Sequence, residues 1–255
     1  MEAESVMVTG ANRGIGLEFV KQLVKLPKPP RLVFATYRNK NTIQDLKDIQ
    51  ENCKETQVVL IQMNVSNCND IEKAKKIIEE KVGDEGLSLL INNAGTARYL
   101  GFPEITEEDM LFHFNTNAVG PVMVLKTMLP LLQKSAARDT SGMKVSRSAV
   151  VNISSLMGSI TELTDSHSKE WLNVLSYRTS KTALNMAMRV IALTIKGQGI
   201  LVVNMCPGWV KTDMGTDQAT LEPSESISAM LKTFSNLNES HHGTFLDRNG
   251  NSIPF

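Results

Sequence analysis

The sequence of 255 residues lacks an excess of charge, a cysteine pattern and long hydrophobic runs. Its 27 Lys and Arg residues balance 27 Asp and Glu residues, so no net charge attracts nucleic acid or an acidic membrane. The three cysteines, Cys53, Cys68 and Cys206, are widely spaced and form no CxxC pair. We therefore expect bystander thiols, not a disulfide framework or a zinc site. No window approaches about 18 uncharged apolar residues, which argues against a transmembrane helix.

The first residues and the overall composition narrow the class of protein further. Met1–Glu4 is acidic and does not match a secretory signal, so a reduced, cytoplasmic setting is expected. The 42% hydrophobic and 21% charged fractions are typical of a folded globular protein rather than a disordered chain. His241 and His242 have no third ligand nearby in the sequence, so no metal site is predicted. These features favour a partner that is a small molecule.

What the sequence does contain is a regular alternation of short apolar runs and longer amphipathic segments. The apolar runs predict buried strands at Val6–Thr9, Leu32–Thr36, Val58–Met63, Leu87–Ile91, Ala149–Ile153 and Leu201–Met205. The amphipathic segments predict helices at Ile15–Leu26, Thr42–Asn52, Asp70–Val82, Glu107–Leu132, Tyr177–Lys196 and Ser224–Leu237. This alternation predicts an α/β fold with a doubly wound, mostly parallel sheet, helices on both faces, and one domain over residues 1–255.

Four segments depart from this alternation. Gly243–Phe255 contains Asn249-Gly250 and is expected to form a final strand and turn. The polar segment Gln133–Arg147 predicts an exposed loop, and the long segment Gly158–Ser176 is typical of a binding loop. The polar segment Asp213–Glu225 is a candidate for a mobile lid.

A glycine-rich turn lies between the first strand and the first helix. It reads Thr9-Gly10-Ala11-Asn12-Arg13-Gly14-Ile15-Gly16. Glycine permits the dihedral angles of such a tight turn and lets the backbone approach a pyrophosphate. The positive N-terminal end of the helix then attracts the anion. This context predicts a dinucleotide-binding site.

The G-x-x-x-G-x-G spacing resembles that of the short-chain dehydrogenase/reductase family, and later motifs fit the same family. They are Asn92-Asn93-Ala94-Gly95 after the fourth strand, Asn117 in the next helix, Ser154-Ser155 closing the fifth strand, Tyr177-x-x-x-Lys181, and Pro207-Gly208 after the sixth strand. The 22 positions between Ser155 and Tyr177 exceed the separation in most relatives. This feature and the run Pro207–Met214 resemble carbonyl reductases of the sniffer type. The extra residues, around Thr164–Trp171, are then expected to overhang the carbonyl site.

The end of the second strand indicates which cofactor is preferred. It reads Ala35–Asn39, with Arg38 and without the acid that holds the ribose 2′-hydroxyl of NAD. Arg13 lies in the glycine turn, and two guanidinium groups can clamp a 2′-phosphate, so NADP(H) is predicted over NAD(H). The resemblance implies that Asn64 and Val65 flank the adenine, although most relatives have Asp at position 64. The full set of cofactor-binding residues implied is Gly10, Asn12, Arg13, Gly14, Ile15, Gly16, Arg38, Asn64, Val65, Asn93, Ala94, Gly95, Tyr177, Lys181, Pro207, Gly208, Val210 and Thr212.

Tyr177 and Lys181 are four positions apart and therefore project from one face of a helix. A tyrosine with a pKa near 10 is a poor acid–base group at neutral pH, and a nearby ammonium lowers that pKa. The resemblance implies that Tyr177 is the general acid and that Lys181 binds the nicotinamide ribose. It also implies that Asn117 holds a water, that Ser155 rather than Ser154 binds the carbonyl oxygen, and that Ser155, Tyr177 and Trp209 contact the substrate. A packing role for Trp209 is an equal alternative.

The leading hypothesis is an NADPH-dependent reductase of aldehydes, ketones or quinones. One alternative keeps the enzyme class but assigns a steroid, retinoid or pteridine substrate. Another is an NADP(H)-binding redox sensor without turnover, which the intact set of Ser155, Tyr177 and Lys181 disfavours. The protein is expected to be a monomer or a homodimer.

Overall fold

A computed structural model describes residues 2–166 and 169–255 and contains a seven-stranded sheet. The order of the strands is β3-β2-β1-β4-β5-β6-β7, and every neighbouring pair is parallel. The strands are β1 Ser5–Val8, β2 Leu32–Tyr37, β3 Gln57–Gln62, β4 Leu89–Asn92, β5 Ala149–Ile153, β6 Leu201–Cys206 and β7 Phe245–Asp247. The predicted doubly wound sheet is confirmed.

Helices cover both faces of the sheet. They are α1 Gly14–Leu23, α2 Gln44–Asn52, α3 Cys68–Val82, α4 Glu107–Phe114, α5 Gly120–Ala137, α6 Lys169–Leu172, α7 Leu175–Thr194 and α8 Pro223–Phe234. Val6 and Val8 of β1 join a core cluster with α1 and α8, whereas Met7 joins a second cluster with α3, α5 and α7. Because both faces are buried, the strands are continuous apolar runs without polar alternation.

The position of β1 determines where a ligand can bind. β1 lies between β2 and β4, so the chain winds in opposite directions on its two sides. Ligands of open α/β sheets bind in the crevice at the carboxyl ends of the strands next to such a reversal. The glycine turn follows β1, Asn93 follows β4, Ser154 and Ser155 follow β5, and Pro207 follows β6. These motifs therefore lie along one edge of the sheet.

The prediction of one continuous helix over Glu107–Leu132 is wrong. A π-helical turn at Asn115–Val119 separates α4 from α5, and the Gly120 N–H bonds to Asn115 O across it. The wider turn lets the side chain of Asn117 point inward and bond to Thr96. Periodicity alone does not reveal this interruption, because both flanking segments are α-helical.

The prediction of an exposed loop over Gln133–Arg147 is partly wrong, because α5 continues to Ala137. Ser135 and Ala136 are buried, and the Ser135 hydroxyl donates to Arg147 O at 2.7 Å. The polar composition reflects the exposed face of a last helical turn. Residues 138–148 form the connection to β5.

Other predicted boundaries shift by a few residues. The fourth strand begins at Leu89 instead of Leu87, and the helix that carries Tyr177 begins at Leu175. The final strand and turn are confirmed by β7 and by Gly250, whose φ is +87°. Within Gly158–Ser176 the structure contains α6, while His167 and Ser168 of the predicted overhang lie outside the described residues.

Candidate active site

The glycine turn is shaped for close approach to a ligand. Gly10 and Gly14 have φ angles of +64° and +53°, a region that side chains disfavour. A Cβ on Gly16 would overlap Gly10 O and the amide of Asn93. The Asn93 amide donates to Thr9 O at 2.8 Å and to Gly10 O at 3.1 Å, which ties the end of β4 to the turn. The backbone at the start of α1 is thereby held at the crevice.

The residues predicted around the adenosine end of the cofactor follow β2 and β3. Arg38 is exposed, and its carbonyl accepts a bond from the Gln62 amide at 3.3 Å. Val65 is buried, and a Cβ on Gly120 would come within 3.1 Å of its carbonyl oxygen. Asn64 Oδ1 accepts from the N–H of Ser66 at 3.1 Å, so it stabilises its own turn. A carboxylate at position 64 could accept the same bond.

Arg13 has a partner that sequence reasoning did not predict. Its Nη1 lies 2.6 Å from Asp213 Oδ2, and both side chains are exposed. Asp213 belongs to the segment predicted as a lid, so this ion pair connects the glycine turn to that segment. An exposed pair is worth about 1 kcal/mol or less, so Arg13 can exchange it for a phosphate at little cost.

Tyr177, Lys181 and Ser155 meet where β5 and β6 end. The Lys181 ammonium donates to Ile153 O at 2.7 Å and lies 5.7 Å from the centre of the Tyr177 ring. The hydroxyl of Ser155 lies close enough to that of Tyr177 to favour its phenolate form. Ser154 points elsewhere, because its hydroxyl donates to Asn185 Oδ1 at 2.7 Å. The structure therefore brings Ser155, and not Ser154, to the tyrosine.

Burial dominates the electrostatics of this group. Burial of the hydroxyl raises the pKa of Tyr177 to about 12, although the nearby hydroxyl of Ser155 favours the phenolate. Burial of the ammonium lowers the pKa of Lys181 to about 8. At neutral pH the tyrosine therefore retains its proton, and the lysine remains mostly charged beside it.

Cys206 lies beside this group, although we expected its thiol to be a bystander. Its Sγ accepts from the N–H of Leu156 at 3.2 Å and from that of Gly208 at 3.4 Å. Burial raises the pKa of the Cys206 thiol, so the sulfur stays neutral. Its place directly before Pro207-Gly208, at the end of β6, is the sequence signal that could have revealed this position.

Asn117 joins two walls of the site. Its Oδ1 accepts from the N–H of Thr96 at 2.8 Å, and its Nδ2 donates to Thr96 O and to Ser180 Oγ, each at 2.9 Å. The Ser180 hydroxyl in turn donates to Tyr177 O at 2.7 Å. Gly95 lies between Asn117 and Lys181. A Cβ at this position would be 3.3 Å from Asn117 Oδ1 and 3.7 Å from Lys181 Nζ.

The segment of residues 209–215 spans the mouth of the crevice. At one end, a Cβ on Gly14 would contact the Thr212 methyl group at 3.1 Å. At the other end, the Tyr99 hydroxyl donates to Met214 O at 3.1 Å. Trp209 is 46% exposed and its indole N–H donates to Gly215 O at 2.7 Å, so it is not a core residue. Val210 is buried and pairs with Leu221, which anchors the segment.

The comparisons with known proteins agree with this geometry. The family model for short chain dehydrogenases matches residues 4–222. The chain belongs to the short-chain dehydrogenase family. Its fold is similar over the full length of both chains to carbonyl reductase Sniffer of D. melanogaster, with 36% identity and a TM-score of 0.93. It is equally similar to the NADPH-bound carbonyl reductase from chicken fatty liver, with 39% identity and a TM-score of 0.92. The C-signal of Myxococcus xanthus is 36% identical over 170 residues, 66% of this chain and 93% of that protein.

This short-chain dehydrogenase also contains a buried polar cluster that the sequence analysis missed. Ser176 donates to Asp109 Oδ2 at 2.6 Å, and Asp109 and His113 are buried. The Nε2 of His113 accepts from the N–H of Arg98 at 2.9 Å. These contacts exclude a hydrolytic triad, because the serine bonds to the aspartate and the histidine nitrogen is already occupied. Thr106, which caps α4 by accepting from the Asp109 N–H, marks the start of the helix that carries Asp109 and His113, but not the cluster itself.

Within residues 2–166 and 169–255, no group of three His, Cys, Asp or Glu side chains is placed to hold a metal ion. Among the helices of the same residues, none is long and apolar enough to cross a membrane.

Proposed function

We propose that this short-chain dehydrogenase is an NADPH-dependent reductase of aldehydes, ketones or quinones. The observation that carries the proposal is the convergence of Ser155, Tyr177 and Lys181 at the carboxyl edge of the sheet. The similarity to two carbonyl reductases, over the whole chain at 36% and 39% identity, supports the substrate class. The NADPH bound to the chicken enzyme supports the choice of cofactor.

The crevice fits a dinucleotide. Glycine at positions 10 and 14 permits the positive φ angles of the turn, and glycine at position 16 permits its close packing on Asn93, so the backbone at the start of α1 can approach a pyrophosphate. Arg38, at the end of β2, together with Arg13 offers cations to a 2′-phosphate. Asn93, Ala94 and Gly95 border the crevice next to the turn. Pro207, Gly208, Val210 and Thr212 border it beyond β6.

The chain's own residues then handle the oxygen of the carbonyl. NADPH supplies the hydride when it is bound. Ser155 donates a hydrogen bond to the carbonyl oxygen and stabilises the charge that develops there. Tyr177 transfers its proton to that oxygen as general acid. Because its pKa is raised to about 12, the proton is present throughout the neutral range.

Lys181 and Asn117 support the proton donor. The Lys181 ammonium, 5.7 Å from the ring centre, stabilises the tyrosinate that remains after proton transfer. Asn117 holds Thr96 and, through Ser180, the backbone of Tyr177. Lys181 therefore acts on the charge of Tyr177, and Asn117 acts on its position. Trp209, exposed at the mouth, offers an apolar surface to the substrate.

The test is to follow NADPH absorbance with a panel of quinones, aldehydes, ketones, steroids, retinoids and pteridines, using wild type and Tyr177→Phe. We expect turnover by wild type and a loss of about 10²- to 10⁴-fold in kcat for the variant, the usual contribution of a general acid. NADPH binding, measured by fluorescence, should be retained. Tyr99→Phe is the matched control, because it also removes a phenol hydroxyl near the site, one that donates to Met214 O at 3.1 Å.

The outcomes separate the candidate functions. Tight NADPH binding without turnover of any carbonyl would favour a redox sensor. Turnover restricted to steroid, retinoid or pteridine compounds would favour the narrower dehydrogenase. Near-full activity of Tyr177→Phe would refute the role of Tyr177.

A further inference from the structure

Arg178 follows Tyr177 directly on α7, and its guanidinium donates hydrogen bonds to backbone carbonyls of two neighbouring segments. The residue is 8% exposed. Its Nε and Nη2 donate to Trp171 O at 3.1 Å and 3.0 Å, and its Nη1 donates to Met157 O at 3.5 Å. The guanidinium carbon lies 5.5 Å from the centre of the Trp171 ring. One side chain thus binds two separate segments through their backbones.

These two segments are the ends of the connection between β5 and α7. Met157 lies in the 3₁₀ turn Leu156–Gly158, and its N–H donates to Ser155 Oγ at 3.2 Å. Trp171 lies in the short helix α6, shortly before α7 begins. Arg178 therefore holds α6 against the turn that starts at Ser155. The planar guanidinium suits this task, because its donors lie in fixed directions.

Both segments present large apolar side chains to solvent, in the connection that leads from Ser155 to Tyr177. Leu156 follows Ser155 directly and is 36% exposed, and Leu172 follows Trp171 and is 47% exposed. Ile160 and Leu163, in the same connection, are also exposed. Because Arg178 fixes the two segments, their apolar side chains can form a wall of the carbonyl site. A bulky carbonyl compound can contact this wall, whereas a small carbonyl compound does not reach it.

We propose that Arg178 is a positioning residue that determines the size of the carbonyl compounds the enzyme binds well. Arg178 keeps the wall formed by Leu156 and the α6 segment ordered before the substrate binds. Binding of a bulky substrate therefore does not include the free-energy cost of ordering this wall. A small carbonyl needs only Ser155 and Tyr177, and its reduction should not depend on Arg178. This inference rests on the proposed function.

The first experiment measures the contact itself and is independent of activity. The chain has two tryptophans, Trp171 and Trp209, so Trp209→Phe leaves Trp171 as the single fluorophore. In that background we expect Arg178→Ala to make Trp171 fluorescence more susceptible to acrylamide quenching, with Arg178→Lys intermediate. Arg189→Ala is the matched control, because Arg189 is on the same helix and donates to Gly243 O at 2.7 Å, away from the loop. Unchanged quenching in Arg178→Ala would overturn the proposal.

The second experiment measures selectivity with the natural tryptophans in place. We expect Arg178→Ala to raise KM for phenanthrenequinone about tenfold, equal to about 1.4 kcal/mol, while kcat/KM for propanal and the affinity for NADPH stay unchanged. Arg178→Lys keeps the charge and is the control for a folding defect. Its KM for phenanthrenequinone should lie between those of wild type and Arg178→Ala. Equal losses for both carbonyls would overturn the inference, since Arg178 would then act on Tyr177 and not on the wall. If wild type reduces neither compound, the proposed function and the selectivity fail together, whereas quenching still reports whether Arg178 holds Trp171.

Discussion

Lys181 offers the sharpest test of the electrostatics, because it places a charge in the interior and, within the described part of the chain, its ammonium donates to one backbone carbonyl. The residue is 5% exposed, its ammonium donates to Ile153 O at 2.7 Å, and burial lowers its pKa from 10.5 to about 8. Lys181→Met replaces the side chain with one of similar length and no charge. We expect the difference in free energy of unfolding between variant and wild type to depend strongly on pH.

The magnitude follows from the displaced pKa. One pKa unit corresponds to about 1.4 kcal/mol, so the displacement from 10.5 to about 8 costs the native protein about 3 kcal/mol at neutral pH. Between these two pKa values the unfolded chain binds a proton that the folded protein does not, so wild-type stability rises with pH in that window. Methionine binds no proton. The variant's stability relative to wild type should therefore fall by about 3 kcal/mol from neutral pH to pH 10.5.

The assay is urea unfolding of both proteins without cofactor, at intervals from neutral pH to the pKa of a free lysine. The loss of the bond to Ile153 O costs about 1–3 kcal/mol, but this cost does not vary with pH and cancels from the slope. Tyr177 is present in both proteins and largely cancels as well. Lys196→Met, which removes an exposed lysine after the end of α7, is the matched control for the loss of one positive charge. A flat difference for Lys181→Met would refute the buried, charged lysine.

Two further substitutions test the buried cluster and the cofactor preference. Ser176→Ala leaves the buried Asp109 carboxylate without its 2.6 Å donor, so the free energy of unfolding should fall by about 1–3 kcal/mol. Thr179→Ala, which removes an exposed hydroxyl bonded to its own helix, should change little in the same urea titration. Arg38→Asp places a carboxylate at the end of β2, so KM for NADPH should rise about tenfold or more and KM for NADH should fall. Equal effects on both cofactors in steady-state assays would contradict recognition of a 2′-phosphate by Arg38.

The strands and the motifs that follow them were predictable because each depends on local sequence. Val6, Met7 and Val8 are all apolar since successive side chains enter cores on opposite faces of the sheet. Once a parallel sheet is inferred, the segments after β1, β4, β5 and β6 must share one edge. The resemblance assigned Asn93, Ser155 and Pro207 to the site, and the parallel order of the strands places all three at that edge.

The contacts that sequence reasoning missed join residues far apart in the chain. Arg13 pairs with Asp213, 200 positions away, and Ser176 bonds to Asp109, 67 positions away. Neither pair has a periodic signature, because each depends on how loops and helix ends meet after the sheet has formed. Arg178 was part of a recognised motif, yet its partners Met157 and Trp171 are set by the path of the connection before α7.

Because of the π-helical turn at Asn115–Val119, the residues of α4 and α5 cannot be placed on one helical wheel when the effects of substitutions are compared. The turn contains one residue more than an α-helical turn, so the helical wheel of α5 is offset by about 100° from that of α4. Positions 107–114 and 120–137 therefore need separate wheels. On a single wheel, the buried residues His113 and Val124 would fall on the same face. In the structure they lie on faces of two different helices, α4 and α5, that point in different directions.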